Sequence, residues 1–221
     1  MDYKGLAWKI KPEYGDCDED VKKFLSKFYE LDHPTKILEV GANQEFAADI
    51  LVDNGWTDVT GVDLFDRENR GYKHIAGDFV HLAESGELKD FDVVFSLSAI
   101  EHFGLEVYKA SGREAPWDVD YDSKAMGAIK KVLKPGGTAY ITVPYGKEHT
   151  VSLGHWRAYD RTTLRDRIEN GFEVMERSFF LSAQAAGIGD PPMDVSIEQA
   201  DSYDVGSYPH VTAFLKLRKP C

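Results

Sequence analysis

Cysteine is almost absent from the chain: two of 221 residues, Cys17 and Cys221, near opposite ends. That excludes a disulfide framework, and without a Cys-x-x-Cys pair nothing suggests structural zinc. Basic charge is also short, with 26 Lys and Arg against 38 Asp and Glu and a net charge of −12. An acidic surface repels phosphate backbones, so nucleic acid is not expected as a partner. The two richest basic stretches, Arg161 to Arg167 and Lys216 to Lys219, are too sparse to reverse this. No stretch approaches the roughly 18 apolar residues of a membrane span, and "MDYKGLAWKIKPEY" lacks the apolar core of a signal peptide. A soluble, cytoplasmic protein without a membrane partner is expected; its oligomeric state is not legible.

A local shortage of glycine says more. In "KILEVGANQEFAADIL" an apolar run climbs to Gly41, as a strand does before handing a nucleotide phosphate to a helix. Ala42, Asn43, Gln44 and Glu45 then stand where a dinucleotide site places its next glycines. A pyrophosphate on a helix N-terminus needs close backbone approach, and Glu39 and Glu45 would bring negative charge to the same spot. An anion is disfavoured there. A ligand with a ribose, no phosphate and a cationic centre fits better, and S-adenosylmethionine is such a ligand.

What the chain does have is a globular composition, 43% hydrophobic and 29% charged, and alternating strand and helix patterns. "TKILEVGA", "DVTGVDL", "KHIAGDF", "FDVVFSLSAI" and "TAYITVPYG" read as successive buried strands. "QEFAADILVDNG", "DSKAMGAIKKVL" and "DRTTLRDRIENG" read as helices, the second ended by "KPGG". "FDRENRGY" is too short and polar for a full crossover helix between the second and third strands. "FEVMERSFFL" and "VTAFLKLRK" can pair antiparallel. These units predict an α/β fold: a doubly wound, Rossmann-like, seven-stranded sheet, mostly parallel with an antiparallel last strand. One domain over residues 1–221 is expected, with its core at about 36–181 and 211–219. Residues 1–35, 101–121 and 182–210 read as additions forming a cap or lid.

In such a sheet, ligands bind outside the carboxyl ends of the strands. Glu39 and Gly41 close the first strand, Asp63 the second and Asp78 the third, while Ser96, Ser98 and Glu101 surround the end of the fourth. Gly41 and Asp63 are 63 − 41 = 22 positions apart, close to the roughly 20 that separate a glycine turn from a ribose-binding carboxylate.

"ILEVGANQEFA", "VTGVDL", "AGDF", "FDVVFSLSAIEHFG" and "AIKKVLKPGGTAYITVPYG" together resemble the ordered motifs of class I S-adenosylmethionine-dependent methyltransferases, over roughly Lys36 to Gly146. "SLSAIEHFGLEVY" and "HWRAYD" are similar to a branch of that family considered to act on small molecules or sugars. The resemblance implies Glu39 and Gly41 beside the methionine part, Asp63 with Leu64 at the ribose, and Asp78 with Phe79 at the adenine edge. Ser96 and Ser98 would flank the transferring methyl, and Asn43 or Gln44 could add a polar contact. It also implies S-adenosylmethionine as cofactor, S-adenosylhomocysteine as product and a small-molecule acceptor.

An acceptor hydroxyl benefits from a base near neutral pKa, a role that suits histidine. His102, directly after the fourth strand, and His155, in "PYGKEHTVSLGHWRAYD", are the catalytic candidates; His149 has less support. For His102 a hydrogen-bonded shell role competes with catalysis, and for His155 an acceptor-binding or structural role does. Asp118, Asp120, Asp122 and Glu101 could recruit a divalent ion, but "DVDYD" lacks the spacing of a calcium loop, so no metal is expected. Dense aromatics in the additions, Trp117, Tyr121 and Trp156 among them, suit a lid over the acceptor. Two other functions compete: a non-catalytic binding or regulatory protein on the same fold, and a nicotinamide-dependent oxidoreductase, which the glycine-poor "GANQEF" opposes.

Overall fold

The computed structural model describes residues 2–3, 6–7, 19–28, 35–42, 46–67, 70–106, 117–152, 154–181, 193–205 and 210–221. A short ribbon of β1 (Asp2–Tyr3) and β2 (Leu6–Ala7) precedes helix α1 (Glu19–Phe28). Strand β3 (Ile37–Val40), helix α2 (Ala47–Asp53) and strand β4 (Val59–Asp63) then form a parallel unit. Strand β5 (Lys73–Ala76) pairs parallel with β4, and no helix intervenes among the described residues. Helix α3 (Phe79–Ser85) leads to β6 (Phe91–Leu97), and helix α4 (Tyr121–Val132) leads to β7 (Leu133–Tyr145). A ribbon of β8 (Thr150–Ser152) and β9 (Trp156–Ala158) follows, then α5 (Arg161–Thr163) and a π-turn at Leu164–Ile168. The chain closes with β10 (Glu173–Leu181), β11 (Met193–Val195), α6 (Ile197–Ser202) and β12 (Val211–Arg218).

The main sheet runs β11-β10-β12-β7-β6-β3-β4-β5. Its β7-β6-β3-β4-β5 portion is parallel, and β12 lies antiparallel between β7 and β10. The strand order reverses between β3 and β6. That switch point opens a crevice at the carboxyl ends, because the crossovers on its two sides leave on opposite faces. The faces are covered accordingly. Leu38, Val40 and Val94 join the core beneath α3 and α4, while Ile37, Val93 and Phe95 join that beneath α1 and α2, the two-residue alternation of a strand.

The sheet has eight strands rather than the seven expected. The eighth, β11, comes from the stretch read as a lid and pairs with Phe179–Leu181 at the edge. The "KPGG" segment does not separate helix from strand as predicted: β7 already pairs at Leu133 with Phe91, and Lys134–Gly137 bulges out before pairing resumes at Val93 and Thr138. Gly136 (φ +75°) makes that bulge possible, and its N–H meets the Lys219 carbonyl at 3.0 Å. The helix read over "DRTTLRDRIENG" is a single α-turn followed by the π-turn.

Candidate active site

Three strand ends are laced together at the crevice. The N–H groups of Gly41 and Ala42 both reach the Val62 carbonyl, at 2.9 and 3.2 Å, and the Gly77 N–H reaches the Asp63 carbonyl at 2.8 Å. Gly41 has φ +89°, and a Cβ there would collide with that of Ala99. Only glycine fits the turn, which keeps the backbone open toward the ligand side.

Over these ends lies a pocket of about 430 Å³ lined by Gly41, Val62, Asp63, Leu64, Gly77, Asp78, Phe79, Phe103, Gly104 and Tyr121. Part of this space is open to solvent. Asp63 Oδ1 accepts the Phe65 N–H at 2.9 Å, which fixes the carboxylate at the strand terminus. Asp78 caps α3 by accepting the His81 N–H at 2.8 Å, and the same oxygen accepts the Tyr121 hydroxyl at 2.7 Å. Burial and that carboxylate push the Tyr121 pKa up, so the phenol stays protonated and donates.

The pocket gathers five of the sequence-predicted cofactor residues: Gly41, Asp63, Leu64, Asp78 and Phe79. Asn43 and Gln44 lie outside the described residues. Glu39 is 2% exposed and shares the alternation of Ile37, on the α1/α2 side of the sheet. Ser96 is buried and donates to the Val40 carbonyl at 2.9 Å, tying β6 to β3. Ser98 stands at φ +44°, with its hydroxyl on the buried Asp20 of α1; Thr142 donates to the same carboxylate oxygen at 3.1 Å. Thus Ser96 and Ser98 sit beside the pocket rather than in its lining.

The charge balance at the glycine turn differs from the sequence argument. Arg67 donates to the Ala42 carbonyl at 3.1 Å, and the guanidinium groups of Arg67 and Arg70 lie 5.5 and 5.3 Å from the Phe46 ring centre. Arg70 also pairs with Asp49. These cations, 67 − 42 = 25 and 70 − 42 = 28 positions beyond Ala42 in sequence, bring positive charge beside the Gly41–Ala42 turn. The lining itself decides more: among its described residues are two carboxylates and no cation. A pyrophosphate has no counter-charge there, whereas a ribose diol can donate to Asp63 and an exocyclic amine to Asp78.

His102 ends the 3₁₀ turn Ile100–His102 and adjoins Phe103 in the pocket wall. Its Nδ1 lies 2.6 Å from the His155 carbonyl, which can only accept, so Nδ1 carries the proton and Nε2 keeps its lone pair in the neutral ring. Burial first, and then the Arg157 and His155 charges, hold its pKa below the usual histidine value despite that hydrogen bond. Nε2 faces Glu101 Oε1 at 3.9 Å. His155 contributes its backbone; its side chain is exposed. His149 is turned onto the Ala158 carbonyl at 2.7 Å.

The acidic stretch read as a possible metal site is committed to cations. Arg167 grips both oxygens of the fully buried Asp122 at 2.9 and 2.6 Å, Tyr159 donates to it at 2.8 Å, and Arg167 reaches Asp120 at 3.0 Å. Asp118 pairs with Lys124. Four lining residues fall inside the quoted motifs without having been singled out as site residues: Val62, Gly77, Phe103 and Gly104. Tyr121 carried a signal only as one of many aromatics.

This arrangement is that of a nucleoside-binding α/β enzyme, and the comparisons with known proteins specify the family. A family model described as a methyltransferase domain matches residues 13–177. The chain belongs to the class I S-adenosylmethionine-dependent methyltransferases, and S-adenosylmethionine is its cofactor. No curated protein sequence matches it significantly. Among solved structures, a putative methyltransferase of Bacillus halodurans is similar with a TM-score of 0.61 and 16% identity, covering 91% of this chain and 99% of that one. The 1,6-didemethyltoxoflavin N1-methyltransferase of Burkholderia thailandensis, solved with 1,6-didemethyltoxoflavin and S-adenosylhomocysteine, gives 0.59 at 13% identity over 91% and 77%. The [4+2]-cyclase SpnF gives 0.58 at 16% identity over 91% and 80%. No described helix is long and apolar enough to cross a membrane.

Proposed function

We propose that the protein transfers the methyl group of S-adenosylmethionine to a small-molecule acceptor, at a hydroxyl oxygen of a sugar-like or secondary metabolite. The observation that carries this reading is the convergence of Gly41, Asp63 and Asp78 from three strand ends on one pocket whose described lining holds no cation. In this reading Asp63 accepts the ribose hydroxyls and Asp78 the adenine amino group, with Leu64 and Phe79 packing beside them. S-adenosylmethionine supplies an electrophilic methyl on a sulfonium centre. The chain aligns the acceptor with it, a contribution that can reach about 7–11 kcal/mol, and His102 Nε2 takes the acceptor proton. Glu101, facing that nitrogen at 3.9 Å, stabilises the imidazolium so formed.

A small acceptor also agrees with the acidic surface and with the Burkholderia enzyme, which is named for a small-molecule substrate. A fold that hosts a [4+2]-cyclase does not by itself fix the reaction, so turnover is the deciding measurement. Calorimetric titration with S-adenosylmethionine and S-adenosylhomocysteine should give micromolar binding, with NAD silent. Label from methyl-labelled cofactor should then appear in a hydroxylated member of an acceptor panel. Cofactor binding with no transfer to any member would favour a binding or regulatory role.

A further inference from the structure

Arg157 is 1% exposed, and a side chain of that size and charge is seldom buried without a purpose its partners reveal. Its Nη1 donates to the carbonyls of Glu101 and Phe103 at 3.2 and 2.6 Å, and its Nη2 to those of Asp118 and Val119 at 3.5 and 3.1 Å. Its Nε lies 3.7 Å from Asp122. One guanidinium therefore joins the turn after β6 to the segment that leads into α4, with Phe103 and Asp118 only 118 − 103 = 15 positions apart. Between them they supply Phe103, Gly104 and Tyr121, the outer wall of the pocket.

The two segments already interlock. The Asp118 N–H donates to the Gly104 carbonyl at 3.0 Å, and a Cβ at Gly104 (φ +74°) would collide with the Asp118 carbonyl and the Tyr121 Cβ. Tyr121 then reaches Asp78 across the pocket at 2.7 Å. We propose that Arg157 is a positioning residue for this pocket: its planar fork holds both wall segments in register and so sets where Tyr121 and Phe103 close over the adenosine end of the cofactor. The inference rests on the cofactor placement proposed above. Lysine cannot replace it, since a single ammonium cannot present two pairs of diverging donors to four carbonyls.

The test is calorimetry with S-adenosylhomocysteine on Arg157→Lys, which keeps the charge and loses the fork. Affinity should fall about tenfold; a loss of less than threefold overturns the proposal. A second measurement uses the unmodified protein, in case the variant does not fold. The Nε–H resonance of Arg157, which does not line the pocket, should shift when S-adenosylhomocysteine binds, and an unmoved resonance overturns the proposal. A third readout separates this inference from the cofactor reading. The charged or titratable groups facing His102 are Glu101, Arg157 and His155, so Arg157→Gln should raise the His102 titration midpoint measured by NMR. If S-adenosylhomocysteine fails to bind the wild type, the cofactor reading falls, while the His102 titration still tests what Arg157 holds in place; an unmoved midpoint counts against the positioning role.

Discussion

Asp63 and Asp78 are both strand-end carboxylates, yet the fold treats them differently. Asp63 makes a local turn bond to Phe65 N–H, whereas Asp78 caps a helix and also takes a phenol from α4. Asp63→Ala should weaken S-adenosylhomocysteine binding at least tenfold, about 1.4 kcal/mol, with an unchanged circular dichroism spectrum; unchanged affinity would place the ribose elsewhere. His102 gives a prediction with a sign. A base must be neutral to work, and partial burial holds the ring's pKa below the ordinary value. Turnover on the acceptor found in the panel should thus be flat at neutral pH and decline on acidification only below about 6.5. His102→Ala should lower turnover far more than cofactor affinity. At this scale the acidic strand ends were legible, because a 22-residue interval and strand periodicity fix where Asp63 lies. The serines were legible as residues near the crevice but not in their orientation: Ser96 spends its hydroxyl on Val40, and Ser98 finds Asp20, 78 positions earlier. Pairings of that range leave no trace in local pattern.

Helix α1 is the element whose role changes most between sequence and structure. Reading residues 1–35 as a cap at the ligand edge overlooks a plain signal. Val21, Phe24, Leu25 and Phe28 stand at the i, i+3, i+4 and i+7 spacing of a helix face, and all four are buried against the sheet. Phe24 stacks on Phe95 of β6 at 4.5 Å and meets Tyr140 of β7 edge-on at 5.4 Å. Phe24→Ala should therefore destabilise the protein by about 3–5 kcal/mol, read as a lower urea midpoint with an unchanged slope. A loss below about 1 kcal/mol, the scale of an exposed site, would mean that α1 is a detachable cap. Elements with buried runs, β3, β6 and the later part of β7 from Thr138, were legible. Three-residue β11 was not, since so short a strand has no period to detect and exists through its pairing with β10. The "KPGG" bulge was misread for a related reason: Pro-Gly-Gly marks a turn locally, and only pairing with β6 on one side and the Lys219 contact on the other makes that turn an excursion within a strand.

Across the whole molecule, one switch point gathers residues from β3, β4, α3, the turn after β6 and α4 into a single pocket. A ligand that fills it must stabilise all of them together, since the site exists only when the sheet is intact. Binding to the native state alone adds about 2.7 kcal/mol at a ligand concentration one hundred times Kd. For a domain of this size each kcal/mol moves Tm by about 2–4 °C. S-adenosylhomocysteine at that excess should accordingly raise Tm by about 5–11 °C. NAD at the same concentration should leave Tm unchanged, because the described lining offers its pyrophosphate two carboxylates and no cation. The order of the two shifts carries the argument. Equal shifts would mean that Arg67 and Arg70, beside the Gly41–Ala42 turn, supply the counter-charge the lining lacks, and that the missing glycines of "GANQEF" do not exclude a dinucleotide. A shift with S-adenosylhomocysteine alone, reduced in Asp63→Ala, would tie the stabilisation of the whole sheet to one carboxylate at the end of β4.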